Sequence, residues 1–103
     1  MLIELIQWLE KQDPELVVPH GFGEPDSYRG DFSEVAFTPE DNVSFGDMLA
    51  CAKAALGATF EGYKGGEFTM DEYTECYIAK WGTWKGADRI GNTMLKLWKA
   101  TAR

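Results

Sequence analysis

Hydrophobic side chains near the start of the chain recur at the spacing of one helix face. They occupy positions i, i+3, i+4 and i+7 and are Leu2, Leu5, Ile6 and Leu9. This pattern predicts an amphipathic helix. Asp13-Pro14 ends it, because a residue before proline is pushed out of the helical conformation.

The next segment alternates between short apolar runs and turn-forming residues. Residues 16–18 are apolar and predict a short strand, which the proline that follows would close. Residues 19–31 are rich in proline and glycine and predict a long loop. Residues 32–38 alternate in polarity, which predicts a strand with Val35 and Phe37 turned inward.

A second helix is predicted over residues 44–56. Ser44 fits the N-cap, Asp47 stands three residues later, and Gly57 suits the left-handed residue after the last turn. The hydrophobic staple positions are Val43 and Met48. The apolar face comprises Phe45, Met48, Leu49, Ala52 and Leu56.

The last third of the chain predicts strands followed by a helix. Residues 59–63 and 67–70 flank a glycine turn and predict a hairpin. Residues 73–81, rich in aromatic and β-branched side chains, predict a strand, and residues 82–86 a loop. The terminal helix has one apolar stripe, made of Ile90, Met94, Leu97 and Trp98.

This order of elements predicts an α+β fold, with a mostly antiparallel sheet packed by two or three helices. The length of 103 residues suits one domain over residues 1–103, and a hydrophobic content of 45% suits a real core. No apolar run approaches the length of a membrane helix, and no basic stretch opens the chain as in a signal peptide.

Charge divides the chain into two unequal parts. Residues 1–75 hold 16 of the 17 acidic residues and four of the ten basic ones, whereas residues 76–103 carry a net charge of +5. An acidic chain is a poor non-specific nucleic-acid binder, so no direct nucleic-acid binding is expected. Two interpretations stay open: a solvated acidic surface with a basic last helix, or an acidic face that meets a basic partner.

The cysteines and the single histidine predict neither a metal centre nor a cofactor. Cys51 and Cys76 lie in different segments, and neither has a second cysteine at ligand spacing. Both are expected to be free thiols that pack as small apolar side chains in a reducing compartment. No Walker loop and no dinucleotide-binding glycine motif occurs.

Two segments repeat the order aromatic, basic, glycine. They are Tyr28-Arg29-Gly30 and Tyr63-Lys64-Gly65-Gly66. Glycine lets successive backbone N–H groups point into one concavity, the basic side chain adds charge, and tyrosine can stack on a base. Together they predict a site for a phosphate or nucleotide. The alternative is a pair of exposed turns whose basic residues neutralise nearby carboxylates.

Two further residues are candidates for contact with a ligand or partner. His20 lies in the predicted loop, where it could contact a ligand or act as a general base, although a lone histidine more often only forms hydrogen bonds. Trp84 is flanked by glycines in a predicted loop and is a candidate for an exposed interface residue.

The opening of the chain and the two repeated segments carry a resemblance. The segments are Asp13-Pro14-Glu15-Leu16-Val17-Val18, Tyr28-Arg29-Gly30 and Gly62-Tyr63-Lys64-Gly65-Gly66. A leading helix followed by such an Asp-Pro turn into a strand resembles small phage and prophage accessory proteins. The resemblance implies a phage-encoded protein in the host cytoplasm. Small phage proteins of this kind include inhibitors of host defence, but the resemblance implies no catalytic residue.

The function expected first is therefore non-enzymatic binding of a nucleotide or other phosphate-bearing ligand by the two segments, with His20 as a further contact. The second expectation is an acidic protein–protein inhibitor of a host effector that binds nucleic acid. The third is a small enzyme that uses His20 and nearby carboxylates. A homo-oligomer is compatible with each.

Overall fold

The computed structural model describes residues 1–27, 34–57, 59–61, 67–69, 72–80 and 83–103. Its described elements are α1 (Leu2–Glu10), β1 (Val17–Ser27), β2 (Glu34–Ser44), α2 (Phe45–Ala55), β3 (Thr59–Glu61), β4 (Glu67–Thr69), β5 (Glu75–Lys80), β6 (Thr83–Arg89) and α3 (Asn92–Thr101). The predicted first helix and the predicted hairpin strands are thus confirmed, while the glycine turn between β3 and β4 lies outside the described residues.

Four strands form one sheet in the order β1-β2-β5-β6, and β3 pairs with β4 in a second, small sheet. β1 is antiparallel to β2, and β5 is antiparallel to β6. β2 and β5 run parallel, which requires the intervening α2 and the small hairpin as a crossover. The α+β prediction with a mostly antiparallel sheet is therefore confirmed.

The core lies where all three helices meet the sheet. The four stripe residues of α1 are at most 5% exposed, as predicted. Aromatic rings join the layers: the ring centroids of Phe22 and Phe37 are 4.2 Å apart, and those of Phe22 and Trp98 are 5.7 Å apart. Trp8 lies 5.6 Å from Phe45 in an edge-to-face arrangement. Packing among these rings fixes the helices on the sheet.

Both ends of α2 follow the sequence prediction. The backbone N–H of Asp47 donates to Ser44 Oγ at 3.0 Å, and Gly57 adopts a φ of +80° beyond the helix. The predicted apolar face is wrong at its last position, because the helix ends at Ala55 and Leu56 is 40% exposed in an extended conformation. Ala55 takes the buried position instead.

The predicted loop over residues 19–31 is wrong for residues 19–27, which continue β1. Residues 17–27 pair with β2 from Val17↔Ser44 to Ser27↔Val35. β1 is an edge strand, so prolines are tolerated in it, and Pro25 follows an irregularity in the register. The predicted strand over residues 32–38 is correspondingly too short, since β2 runs on to Ser44, and Phe37 is fully buried.

Three further predictions near the end of the chain are wrong. The loop predicted over residues 82–86 is wrong for residues 83–86, which belong to β6, because β5 offers an antiparallel partner in which Lys80 pairs with Thr83. The strand predicted over residues 73–81 begins only at Glu75, after a turn. The predicted stripe of the terminal helix is wrong at Leu97, which is 59% exposed, whereas Trp98 of the same stripe is buried.

None of the described helices is long and apolar enough to cross a membrane.

Candidate functional site

A surface cleft lies where β1, β2 and α2 meet. Its volume is about 330 Å³, close to the lower end of the range for small-ligand pockets, about 300–1,000 Å³. The residues that line it are Gly23, Glu24, Thr38, Glu40, Val43, Asp47 and Cys51. We call it the acidic cleft, because three of these side chains are carboxylates.

The irregular pairing of β1 shapes the floor of the acidic cleft. The register shifts between Phe22 and Pro25, and Gly23 lies within that shift. A β-carbon on Gly23 would stand 2.9 Å from Glu40 Oε2 and 3.3 Å from Thr38 Oγ1. The missing side chain is therefore what lets the carboxylate of β2 lie against the backbone of β1.

Helical spacing supplies the opposite wall. Asp47 and Cys51 are four residues apart in α2, so they share one face of that helix. On the strand side, Thr38 Oγ1 donates a hydrogen bond to the backbone oxygen of Glu24 at 3.3 Å. The carboxylates thus come from three different elements, each held by backbone structure.

The electrostatics of the acidic cleft are strongly negative. Glu24, Glu40 and Asp47 are all exposed, and within the described part of the chain no cation forms an ion pair with any of them. Burial raises the pKa of Cys51, and the negative charges of Glu24, Asp47 and Glu40 raise it further. The cleft therefore favours a cation and disfavours a thiolate nucleophile.

Among the described residues, no group of three or more histidine, cysteine, aspartate or glutamate side chains is arranged to hold a metal ion. Cys76 is 2% exposed in the core, so it does not belong to the cleft, and Cys51 is half-buried in the wall of the cleft. Both are free thiols.

The predicted phosphate site lies outside the described residues. The residues of this site that the structure does not describe are Tyr28, Arg29, Gly30, Tyr63, Lys64, Gly65 and Gly66. The strands on either side are described: residues 28–33 connect β1 to β2, and residues 62–66 connect β3 to β4. Each segment therefore joins two paired antiparallel strands.

His20 lies on β1 rather than in a loop, and it is not among the residues that line the acidic cleft. Its Nδ1 is 3.2 Å from Asp41 Oδ1, and its side chain is 85% exposed. Its backbone oxygen accepts a hydrogen bond from Trp98 Nε1 at 2.9 Å. The arrangement is a cross-strand surface pair, because residues 20 and 41 face each other in the register.

The acidic cleft was not predicted as a site. The i, i+4 spacing of Asp47 and Cys51 in a predicted helix was a usable signal for one wall. Glu24 and Glu40 are 16 positions apart, and only the antiparallel register of β1 and β2 brings them to one place. Trp84 lies on β6, and its side chain is outside the part of the structure described.

The fold and the site together define an α+β protein with an acidic surface cleft. No known protein family matches the chain, and no curated protein or solved structure is significantly similar to it. The chemistry of the cleft is thus the main guide to function.

Proposed function

We propose that the protein is a non-enzymatic binding protein whose acidic cleft receives a basic group of a partner protein. One observation carries the proposal. Glu24, Glu40 and Asp47 surround a single concavity, and the described part of the chain places no cation among them. An incoming lysine or arginine would supply the missing positive charge.

Such a contact contributes more binding free energy in a cleft than on a flat surface. Isolated surface ion pairs contribute about 0–1 kcal/mol, whereas hydrogen bonds to charged groups contribute about 1.5–3 kcal/mol each. A basic side chain in the acidic cleft could meet carboxylates on more than one side. The raised pKa of Cys51 also supports binding over catalysis, since it keeps the thiol protonated.

The kind of partner follows from the distribution of charge. Residues 1–75 carry a net charge of −12, which would steer association with a basic surface such as the nucleic-acid channel of a host effector. The resemblance to phage accessory proteins supports a role in the host cytoplasm as an inhibitor of such an effector.

The test replaces two carboxylates of the cleft with neutral amides. A control variant loses the same number of negative charges at positions outside the cleft. Glu24→Gln with Glu40→Gln is compared with Glu15→Gln with Glu72→Gln, whose side chains are exposed away from the cleft lining. The probe is a short lysine- and arginine-rich peptide, and the measurement is calorimetric titration at low and physiological salt.

We expect the cleft variant to bind the peptide at least about tenfold more weakly, which corresponds to about 1.4 kcal/mol. The control variant should lose affinity only through its change in net charge. Equal losses in both variants would show that total charge, and not the cleft, attracts the peptide.

A second candidate is a phosphate-bearing ligand held by the two Tyr-basic-Gly segments. The observation that favours it is that each segment joins two antiparallel strands, and that β3 contacts β1. Arg29→Ala and Lys64→Ala should then each abolish most of the thermal stabilisation by a nucleotide, with little change in the unliganded melting temperature. If no nucleotide in a panel of mono-, di- and cyclic nucleotides shifts that temperature, this candidate fails.

A further inference from the structure

α3 presents a basic and apolar face to solvent. Positions i, i+3, i+4 and i+7 of this face are all exposed, and they are Thr93, Lys96, Leu97 and Ala100. Lys99 borders this face next to Lys96, and Arg103, beyond the end of the helix, is exposed as well. We call these six residues the basic face of α3. Leu97, which is 59% exposed, lies at the edge of this face that is farthest from Lys99.

The other side of α3 is held firmly against the sheet. Trp98 is 2% exposed, and its Nε1 donates to the backbone oxygen of His20 at 2.9 Å. Beyond the helix, Arg103 and Val17 exchange two backbone hydrogen bonds, each of 2.9 Å. These contacts fix the direction in which the basic face points.

The lysines of this face have no acidic partner within the described residues. The ion pairs found there use Lys53, Arg89, His20 and the chain's amino group, and none uses Lys96 or Lys99. The same part of the chain leaves Glu24, Glu40 and Asp47 unpaired. One molecule therefore carries two surfaces of opposite charge, and each lacks a counter-charge.

The two surfaces lie at different places along β1. α3 is anchored at Val17 and His20, whereas the acidic cleft begins at Gly23 and Glu24. From His20, the anchor of α3 nearer to the cleft, to Glu24 an extended strand rises about 13 Å, at about 3.3 Å per residue. No residue of α3 lines the acidic cleft, so the two surfaces can meet between copies.

We propose that the basic face of α3 docks in the acidic cleft of a second copy of this chain. The proposal rests on the proposed function, because it names the partner that supplies the basic group. Lys96 and Lys99, three residues apart on one side of α3, face the carboxylates. Since each copy has both surfaces, the contact either closes as a two-fold dimer or continues head to tail.

Charge reversal on both sides tests the docking. One variant carries Lys96→Glu with Lys99→Glu, and the other carries Glu24→Lys with Glu40→Lys. Sedimentation velocity follows each variant alone and their equimolar mixture, and circular dichroism verifies that each is folded. The control for the cleft variant is Glu15→Lys with Glu72→Lys, which changes the charge equally at other exposed positions.

We expect the wild type to associate, more strongly at low salt, because the contact is between opposite charges. Each reversed variant alone should associate at least about tenfold more weakly, and the mixture should regain association because both contacts are again complementary. If the substituted residues were important only for folding, mixing the two variants would not restore association.

Two outcomes overturn the inference, and they separate it from the proposed function. If the wild type stays monomeric while its cleft still binds the basic peptide, the docking is wrong and the proposed function stands. If the wild type associates but neither the reversed variants nor their mixture differ from it, another surface joins the copies. The proposed function itself would be wrong if the Glu24→Gln, Glu40→Gln variant bound the basic peptide as tightly as the wild type.

Discussion

Gly21 is enclosed by three side chains of the core. A β-carbon at this position would stand 2.5 Å from Val43 Cγ1, 2.8 Å from Met48 Sδ and 2.9 Å from Val18 Cγ2. Gly21→Ala should therefore lower the free energy of unfolding by about 1–3 kcal/mol, the usual cost of overpacking. Urea denaturation measures the effect.

Gly23→Ala is the matched control for that substitution. Its β-carbon would also meet a neighbour at 2.9 Å, but that neighbour is the flexible carboxylate end of Glu40, which can move aside. We expect a smaller loss of stability than in Gly21→Ala. Equal losses of unfolding free energy in the two variants would contradict the expectation that Gly21 is packed more rigidly than Gly23.

The thiol of Cys76 should make stability depend on alkaline pH. Burial raises its pKa from the ordinary value of 9.0 to about 12. Between these two values the folded protein keeps a proton that the unfolded chain releases. The free energy of unfolding should therefore fall as pH rises through this range, by up to about 1.4 kcal/mol per pH unit.

Cys76→Ala provides the comparison, since other groups also titrate at alkaline pH. Denaturant unfolding of both proteins at several pH values from neutral to about 10.5 gives the two slopes. The wild type should show the steeper decline above pH 9. If the unfolding free energies of the two proteins depended on pH in the same way, the thiol would have the same pKa in the folded and unfolded states.

At the scale of elements, the start of α2 depends on a single side-chain cap. Ser44 Oγ accepts from the backbone N–H of Asp47, and Ser44→Ala leaves that donor without its partner. We expect a loss of about 0.5–2 kcal/mol in the free energy of unfolding. Ser44→Asp keeps an acceptor at the N-cap and should retain most of the stability. Thermal unfolding of both variants distinguishes the cap from a general effect of the substitution.

The elements also explain where local sequence patterns fail. β1 contains two prolines and two glycines within residues 19–25, so local propensity favours a loop. Pairing with β2 overrides this preference, because β1 is at the edge of the sheet and accommodates a register shift. Residues 83–89 become a strand for the same reason, with β5 as the partner.

At the scale of the whole molecule, the excess of negative charge should make stability sensitive to salt. The net charge is −7, and the described carboxylates of the acidic cleft are unpaired. Salt screens their mutual repulsion, so the melting temperature should rise between low and physiological ionic strength.

Glu24→Gln with Glu40→Gln should melt higher than the wild type at low salt and respond less to added salt. A melting temperature that is independent of salt in both proteins would show that the carboxylates are too far apart to repel one another. Calorimetry in dilute solution measures the melting temperature, because self-association then contributes little to the stability of either protein.

Local spacing was enough to predict much of this protein. The stripe of α1, the cap of α2 and the hairpin strands each depend on residues within one or two turns of each other, and the structure confirms them. The α+β class follows from their order. For the same reason Asp47 and Cys51, one helical turn apart, could have been recognised as neighbours.

Only the tertiary structure decided the long strands and the acidic cleft. β1 and β2 are strands because each forms backbone hydrogen bonds with a neighbouring strand. The stabilisation by these hydrogen bonds depends on a register that no local sequence pattern encodes. The same register brings Glu24 and Glu40 into the lining of one cleft, where Gly23 leaves room for the carboxylate of Glu40. A site assembled from two strands and a helix is a property of their pairing, whereas a cap or a stripe is a property of the chain itself.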